Sequence, residues 1–408
     1  MDVSMIRRPQ DWPFPIPQIT AESIDELIDA LHRDVSDSTL SIYYDAVDGC
    51  SREMENEDQD ASTTCMTDGR RSMERVRDFS PYELKVSVYD GAAEKRTMLM
   101  DGHLYMVKFG YDAAPQEEHP SRTSYVNLPV NEYIGSKVFA ASGIPTQDVI
   151  LGDYKGRSVV ACRDFMYEMD PNLMLLHFKQ LEISMPGGSS RSKARPDWEF
   201  VSQVLDEHDA LEGIRARARH RFLQMTCVDA LIGNFDRHAN NWGFIADRRT
   251  ADILDLAPVY DCGSSLSPSL SREGMRERVE DPQQMREANM AAPYMAMNVG
   301  GKRRKFAFFL TSETARPFRA ELPELWPRLS EKVTDRIVEQ TPGLDDLQRD
   351  FYKATLDARR KYVLGPAYRM ALKEAETSTA TVGNDTLATD IVPGIPFPGL
   401  GGNPGLLH

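Results

Sequence analysis

The sequence predicts an α+β protein in two parts, a small antiparallel sheet with one helix, followed by a mainly helical region. Three observations predict this class. Apolar residues alternate, as they do in strands, within residues 83–110 and again within 146–165. Between these segments, and over most of the chain beyond Asp170, the apolar spacing is helical. A sheet that carries one helix and is followed by helices is an α+β arrangement.

Composition and charge exclude several classes of protein. The 408 residues are 41% hydrophobic and 27% charged, so a substantial core is expected. The net charge of −15 argues against an overall basic surface, and nucleic acid is not expected as a direct partner. The 5 cysteines form no C-x-x-C pair, so neither a disulfide scaffold nor a zinc knuckle is expected. No long apolar run and no secretory signal are found, which predicts no membrane partner and a cytoplasmic location. Secretion as an effector without a classical signal stays open.

The chain is expected to divide into four parts. Residues 1–79 are expected to be an N-terminal extension with one amphipathic helix and a flexible polar linker. Residues 80–165 would form the N-lobe, and residues 166–372 the C-lobe. Residues 373–408 are rich in Thr, Gly and Pro, and this composition predicts a disordered tail.

The N-lobe is predicted to hold five strands, with a helix after the third. The strands lie in ELKVSVYD, RTMLM, HLYMVKFG, TQDVILGDY and GRSVVACRDF. The helix lies in VNEYIGSKVFAASG, where Gly143 stands at a position typical of a helix C-terminus. In the C-lobe, long helices are predicted at roughly Glu212–Leu231 and near the end of the chain, where Pro366 interrupts the last one.

The segment ALIGNFDRHANNWGF carries the most informative polar pattern. Asp236 and Asn241 are 5 residues apart, and Asp261 follows Asn241 by 20 residues, after the predicted strand ILDLAPVY. Phosphoryl transfer from ATP needs a carboxylate to orient the acceptor hydroxyl, and an amide and a second carboxylate to hold metal ions. Asp and Asn at this spacing, followed by a strand and Asp-x-Gly, meet that need.

The N-lobe offers a matching pair of charges. Lys108 lies in the third predicted strand between apolar residues, and Glu132 opens the following helix. A strand lysine paired with a helix glutamate is the clamp that kinases place on the nucleotide phosphates. The turn DGAAEKR between the first two strands could cover the phosphates, although it lacks a complete G-x-G-x-x-G.

Taken alone, each of these residues has an ordinary structural alternative. Lys108 could reach solvent from a strand edge, and Glu132 could favour the helix dipole. Asn241 could cap a loop, Asp236 could stabilise a turn, and His238 could make a structural hydrogen bond. The order and spacing of the whole set favour the functional interpretation.

Several stretches together resemble the HipA-like protein kinases, in particular their CtkA-like branch, over residues 78–372. They are YDGAAEKRTML, YMVKFG, VNEYIGSKVFAASGIPTQDVILGDYKGRSVVACRDF, VDALIGNFDRHANNWGF and LAPVYDCGSSL. The N-x-D-x-H-x-x-N pattern with a following Asp-x-Gly distinguishes this family from eukaryote-type kinases, whose loop reads H-R-D.

The resemblance implies a two-lobed protein-kinase-like fold and an ATP- and Mg²⁺-dependent serine/threonine protein kinase. It assigns Asp236 as the catalytic base, and Asn241 and Asp261 as the Mg²⁺ ligands. It places Lys108 on the ATP phosphates, with Glu132 as the anchor of that lysine.

The resemblance assigns the other nucleotide-binding positions to three short segments. These are a phosphate loop of Gly91, Ala92, Ala93, Glu94 and Lys95, a hinge of Cys162, Arg163 and Asp164 that meets adenine through backbone groups, and the residues from His238 to Asn241, which would lie against the nucleotide. The phosphate loop departs from the pattern of some relatives, because it contains no serine.

The expected partners are a protein substrate and an antitoxin or other protein partner. Two alternatives are open: a small-molecule phosphotransferase, since aminoglycoside-type kinases share the Asp-x4-Asn arrangement, and a non-catalytic ATP-binding member of a toxin–antitoxin pair. The chain is also expected to phosphorylate itself, and the serines of SSLSPSLSRE, directly after Asp261, are favoured over those of PGGSSRSKARP.

Overall fold

The computed structural model describes residues 76–86, 94–111, 125–188 and 195–387. The predicted N-terminal helix and its linker lie outside the described residues. So do Gly91, Ala92 and Ala93 of the predicted phosphate loop.

The N-lobe is a mixed sheet that has six strands within the described residues, in the order β1-β5-β6-β4-β3-β2. The strands are β1 (Arg77–Asp78), β2 (Leu84–Val86), β3 (Lys95–Met100), β4 (His103–Phe109), β5 (Val149–Tyr154) and β6 (Arg157–Arg163). Strands β2 to β6 confirm the five predicted strands and pair antiparallel with their neighbours. Strand β1 pairs parallel with β5.

Strand β1 corrects the expected boundary of the N-lobe at residue 80. Arg77 pairs with Gly152, and the Phe79 side chain is fully buried next to it. A Cβ at Gly152 would lie 2.4 Å from both the Arg77 carbonyl oxygen and the Phe79 ring, so only glycine allows this close approach. A strand of two residues shows no alternation, which is why the apolar pattern did not predict it.

Helix α1 (Leu128–Ala141) follows β4, the third predicted strand, as predicted, and is buried over most of its length. It begins with Pro129 in its first turn, where no backbone N–H is needed. Past its end, Gly143 adopts the left-handed conformation, with φ of +86°. The helix packs on β5 and β6 and carries Glu132 into the lobe.

The C-lobe is mainly helical, as predicted. Its helices are α2 (Phe178–Ser184), α3 (Trp198–Glu207), α4 (Arg215–Ile232), α5 (Arg272–Glu280), α6 (Pro282–Ala291), α7 (Phe306–Leu310), α8 (Arg316–Arg319), α9 (Leu322–Arg328), α10 (Glu331–Gln340), α11 (Asp346–Arg359) and α12 (Gly365–Leu387). One sheet is formed by β7 (Leu173–His177), β8 (Gly243–Asp247) and β9 (Ile253–Leu256), and a hairpin by β10 (Tyr294–Val299) and β11 (Lys302–Lys305). In the described part of the chain, no helix combines the length and apolar character needed to cross a membrane.

The end of the C-lobe corrects the predicted tail boundary at residue 372. A π-helical turn, Arg360–Leu364, joins α11 directly to α12, so Pro366 does not interrupt the helix as predicted. The helix then runs to Leu387, past the start of the tail predicted from composition. Glu374 forms an ion pair with Arg319, whose side chain is fully buried, and this tertiary contact holds the helix beyond residue 372.

Candidate active site

Lys108 lies at the centre of a buried charge cluster that joins the two lobes. Its Nζ lies 2.9 Å from Glu132 Oε2 and 2.9 Å from Asp261 Oδ1, and its side chain is only 3% exposed. The alternative of a lysine that reaches solvent from a strand edge is therefore wrong. A buried ammonium group needs compensation by opposite charge, and the two carboxylates provide it.

Glu132 connects this cluster to the backbone of the C-lobe. It is fully buried, and its Oε1 accepts a hydrogen bond of 3.0 Å from the backbone N–H of Cys262. The glycine of the Asp-x-Gly pattern, Gly263, has no room for a side chain. A Cβ there would lie 2.9 Å from Glu132 Oε2. Glu132 therefore holds the segment that carries Asp261.

Burial and neighbouring charges shift the pKa values of Lys108, Asp261 and Lys95. Burial by itself lowers the pKa of Lys108, but Asp261 and Glu132 outweigh it and hold that pKa well above the usual value. Burial by itself raises the pKa of Asp261, but Lys108 and Lys95 hold it well below its usual range. Lys95 lies opposite Lys108 in the β3–β4 pair, and burial lowers its pKa. Asp261 is therefore ionised at neutral pH.

The Asp-x4-Asn pattern forms a closed loop directly after α4. Gly233 ends that helix in the left-handed conformation, with φ of +68°. The Oδ1 of buried Asn234 accepts from the backbone N–H of Asp236 at 3.1 Å. Asn241 donates from Nδ2 to the Asp236 carbonyl oxygen at 2.8 Å and so closes the loop. The spacing thus brings the side chains of Asp236 and Asn241 onto one short, internally bonded segment.

Arg237 and Asp229 fix this loop, and the sequence reasoning missed both. Arg237 Nε and Nη2 lie 2.9 Å and 3.1 Å from the two carboxylate oxygens of Asp229, a bidentate pair. Arg237 Nη1 also donates to the carbonyl oxygens of Asn241 and Tyr260. The arginine therefore ties α4 to the loop and to the residue before Asp261. The one signal in the sequence was an aspartate inside the apolar stretch VDALI.

Burial and the partner charge act in opposite directions on this pair. Burial raises the pKa of Asp229, and Arg237 partly offsets the rise. Burial by itself lowers the pKa of Arg237, but Asp229 outweighs it and the pKa is raised. The arginine is therefore charged, and the pair depends on both members.

Asp261 is delivered by a segment that differs from the predicted strand ILDLAPVY. Strand β9 ends at Leu256, and Pro258 follows, which cannot donate to a strand ladder. Val259 instead bonds to the N-lobe side, donating to the Pro145 carbonyl oxygen at 2.8 Å. Asp261 then has a φ of +59°, a region that non-glycine residues seldom adopt, and its side chain is 37% exposed.

His238 makes a structural hydrogen bond, which was the structural alternative to a functional role for this residue. Its Nδ1 accepts from the backbone N–H of Asn240 at 3.2 Å. The Asn240 carbonyl oxygen accepts from the Tyr260 hydroxyl at 3.1 Å, and that hydroxyl is bonded to His177 Nδ1. Burial and, secondly, the nearby His238 lower the pKa of His177. The contact of residues 238–241 with a nucleotide stays a prediction.

The predicted hinge offers fewer backbone donors than expected. Cys162 is fully buried inside β6, and burial raises the pKa of its thiol. The backbone N–H of Arg163 donates to the Asp148 carbonyl oxygen, and that of Asp164 to the Leu104 carbonyl oxygen, each at 2.8 Å. Both donors are used by the protein itself, because the β6 pairing continues to the end of the strand.

The two described residues of the predicted phosphate loop, Glu94 and Lys95, interact with different groups. Glu94 forms ion pairs with Arg157 and Arg96 at the surface, so it lies apart from the charge cluster. Lys95 is beside Lys108 and contributes to the field at Asp261. The structure therefore brings together Lys95, the Lys108 cluster and the loop from Asp236 to Asn241, and it separates Glu94 from them.

Comparison with known proteins adds independent observations. Residues 85–342 match the family described as HipA-like C-terminal domain. The chain is 25% identical over 299 residues to the serine/threonine-protein kinase CtkA of Helicobacter pylori strain J99, which covers 72% of this chain and 89% of CtkA.

The crystal structure of a Helicobacter pylori proinflammatory kinase CtkA aligns with a TM-score of 0.62 and 24% identity, covering 74% of this chain and 99% of that one. HipA in the Shewanella oneidensis MR-1 toxin–antitoxin complex with HipB and operator DNA aligns with a TM-score of 0.41 and 14% identity, covering 79% and 72%.

The CtkA alignment shows the fold, an α+β kinase-like arrangement of two lobes. The family match runs from β2 to the residues just after α10 and includes Lys108, Asp236 and Asp261. It covers more than half of the 408 residues. The chain belongs to the family of proteins with a HipA-like C-terminal domain.

Proposed function

We propose that this protein is an ATP- and Mg²⁺-dependent serine/threonine protein kinase, which transfers the γ-phosphoryl group of ATP to hydroxyl groups of proteins. The observation that carries the proposal is Lys108, which is buried and paired with both Glu132 and Asp261. A phosphate-binding lysine, its helix glutamate and a metal-binding aspartate are the parts that kinases assemble. The similarity to CtkA, named a serine/threonine-protein kinase, supports this assignment at the level of the family.

Two lysines would bind the phosphates of the nucleotide. Lys108 is held by the carboxylates on either side, so its ammonium group is fixed in place. Lys95 faces it from the neighbouring strand. Two cations close together repel each other, and a triphosphate between or beside them would relieve that repulsion.

Asn241 and Asp261 would hold the metal ion. Mg²⁺ takes hard oxygen ligands, and both side chains offer such oxygens. Because Asn241 donates from Nδ2 to the Asp236 carbonyl oxygen, its Oδ1 is the atom left to serve as a ligand. Asp261 is ionised, since the lysines hold its pKa low. The residues therefore fit Mg²⁺, which when bound neutralises charge that develops on the phosphate oxygens.

Asp236 would orient the acceptor hydroxyl and take its proton. The backbone of Asp236 is fixed on both sides, by Asn234 at its N–H and by Asn241 at its carbonyl oxygen. The side chain is half-buried, at the open face of the loop. A carboxylate held in this way can accept a proton from a substrate hydroxyl without reorganising the loop.

Phe165 is the residue that we assign to the base of the nucleotide. The backbone donors of Arg163 and Asp164 are already used within the protein. The next residue, Phe165, packs its ring 6.1 Å from that of Tyr260, centroid to centroid. An aromatic pair at this edge can stack on adenine.

A transfer assay with γ-labelled ATP and Mg²⁺ tests the proposal. The protein is incubated alone and with a cell lysate, and label in protein is separated from label in small molecules. We expect label on serine or threonine residues of proteins, and its loss in Lys108→Met. The control variant Lys137→Met removes an exposed lysine of α1 and should keep the activity. Label found only in small molecules would support the phosphotransferase alternative and contradict the proposal.

A further inference from the structure

A cavity lies behind the loop that carries Asp236, and it has a volume of about 320 Å³. It is bounded by the end of α4, by helices α5, α6 and α11, and by the segment that follows Asp261. The residues that matter here are Ser267, Ser269, Arg278 and Arg359. On the scale of about 30 Å³ for each molecule of liquid water, the cavity has room for a phosphate group with its hydration.

The lining of this cavity has positive charge and no negative charge. Two arginines line it, and among the described residues that line it there is no aspartate or glutamate. The guanidinium group of Arg359 donates to backbone carbonyl oxygens, including those of Ala230 and Asn289, so it ties helix ends together. Arg278 donates to the Ser267 hydroxyl at 3.1 Å.

Unlike two arginines that the fold buries more deeply, Arg278 has no carboxylate partner among the described residues. Arg237 is paired with Asp229, and Arg319 with Glu374. Arg278 is half-buried, burial lowers the pKa of its guanidinium, and no carboxylate lies within ion-pair distance of it in the part of the chain that the structure describes. A partly desolvated cation that faces a cavity without an anion favours the binding of one.

The segment after Asp261 places a serine at the same cavity. Ser269 lines the cavity and is exposed. Of the neighbouring serines, Ser265 is fully buried, and Ser271 is exposed but its hydroxyl oxygen caps α5 and it does not line the cavity. Ser267 has a φ of +59° and is hydrogen-bonded to Arg278. Ser269 is thus the exposed serine of this segment that also lines the cavity.

We propose that this cavity binds a phosphate group that is covalently attached to Ser269. Arg278 binds this phosphate once Ser269 is phosphorylated. The modification rests on the proposed function. The bond between the γ-phosphorus of ATP and its bridging oxygen breaks, a bond from phosphorus to Ser269 Oγ forms, and ADP and the hydroxyl proton leave. The planar guanidinium group binds two phosphate oxygens at once, which connects the segment after Asp261 to α5.

The test uses the full chain with phosphoserine incorporated at position 269 during synthesis, so it does not depend on the activity of the chain. The phosphate is titrated by ³¹P NMR and compared with a free peptide of residues 264–273 that carries the same phosphoserine. We expect the second phosphate pKa in the protein to lie about one unit below that of the peptide, because an adjacent arginine favours the dianion. Arg278→Gln should remove the difference.

A matched control comes from the same helix. Arg276 is exposed and paired with Glu273, and Arg276→Gln removes one positive charge of α5 away from the cavity. This variant should keep the lowered phosphate pKa. Equal phosphate pKa values in the wild-type chain and in the peptide would overturn the proposal, whether or not the arginine variants fold.

Two further results separate this proposal from the proposed function. If phosphoserine 269 shows the Arg278-dependent shift but the chain transfers no phosphate from ATP, the cavity assignment holds and the proposed function fails. If inorganic phosphate stabilises the unmodified chain through Arg278 while the phosphoserine pKa is unshifted, the cavity takes free phosphate and the assignment of Ser269 is overturned.

Discussion

Single residues in this chain show how buried charge is stabilised by partners. Lys108 has two carboxylates, and Arg237 has one carboxylate and two carbonyl oxygens. Each of these cations connects segments that are far apart in sequence. The charged residues near the loop therefore act both as candidate functional groups and as the supports that position it.

Replacing Arg237 with alanine should strongly destabilise the fold. The change leaves the carboxylate of Asp229, which is 2% exposed, without its cation, and breaking a buried pair in this way costs about 3–5 kcal/mol. Denaturant unfolding of the full chain measures it. Arg217→Ala in α4, the helix that carries Asp229, removes an exposed partner of Asp255 and should change the free energy of unfolding by about 0.5 kcal/mol or less. Equal effects of the two variants would show that the buried pair does not support the fold.

The contribution of Asp261 to stability should depend on pH. Its pKa in the folded protein lies below the ordinary value of 3.8, so ionisation favours the folded state above that pH. The difference in free energy of unfolding between the wild type and Asp261→Asn should have its largest value near neutral pH. It should shrink as the pH falls below 3.8 and towards the lower pKa of the folded state.

Unfolding curves collected at a series of pH values measure this difference. Asp255→Asn, at an exposed position, provides the control for general effects of acid. A difference for Asp261→Asn that stays constant down to strongly acidic pH would mean that Lys108 and Lys95 do not hold the carboxylate ionised.

At the scale of elements, the sheet shows which strands local pattern can predict. Strands β2 to β6 each have alternating residues and a turn signal at one end, and they were predicted. Strand β1 has only Arg77–Asp78, and its position depends on the bare backbone of Gly152. The end of β9 depends on Pro258, which has no backbone N–H to donate to the neighbouring strand.

Phe79→Ala tests whether the segment before residue 80 belongs to the N-lobe. The Phe79 side chain is fully buried in the sheet's own cluster with Met98 and Val107, so its removal should cost about 3–5 kcal/mol of unfolding free energy. Val86→Ala, at a side chain that is 82% exposed, should change stability by about 0.5 kcal/mol or less. A thermal melt of each variant gives the comparison. If the Phe79 variant were as stable as the Val86 variant, the segment before residue 80 would belong to the N-terminal extension and not to the N-lobe.

At the scale of the whole molecule, the sequence predicted the two lobes and most of the candidate site. Lys108, Glu132 and Asp261 could be found because each stands in a short pattern with its own order and spacing. The bidentate contact of Arg237 with Asp229 could not, because it depends on how the chain turns after α4. The ends of the lobes were also missed, since tertiary contacts and not composition determine them.

The central claim is that the loop from Asp236 to Asn241 catalyses phosphoryl transfer from ATP. The most direct measurement is the rate of label transfer from γ-labelled ATP by Asp236→Asn, together with the ATP affinity of the same variant by calorimetry. Asp252→Asn, an exposed aspartate in the turn between β8 and β9, serves as the control. The account predicts unchanged ATP binding and a transfer rate reduced by about 10²- to 10⁴-fold, as for loss of a general base. Transfer by Asp236→Asn at a rate close to that of the wild type would contradict it.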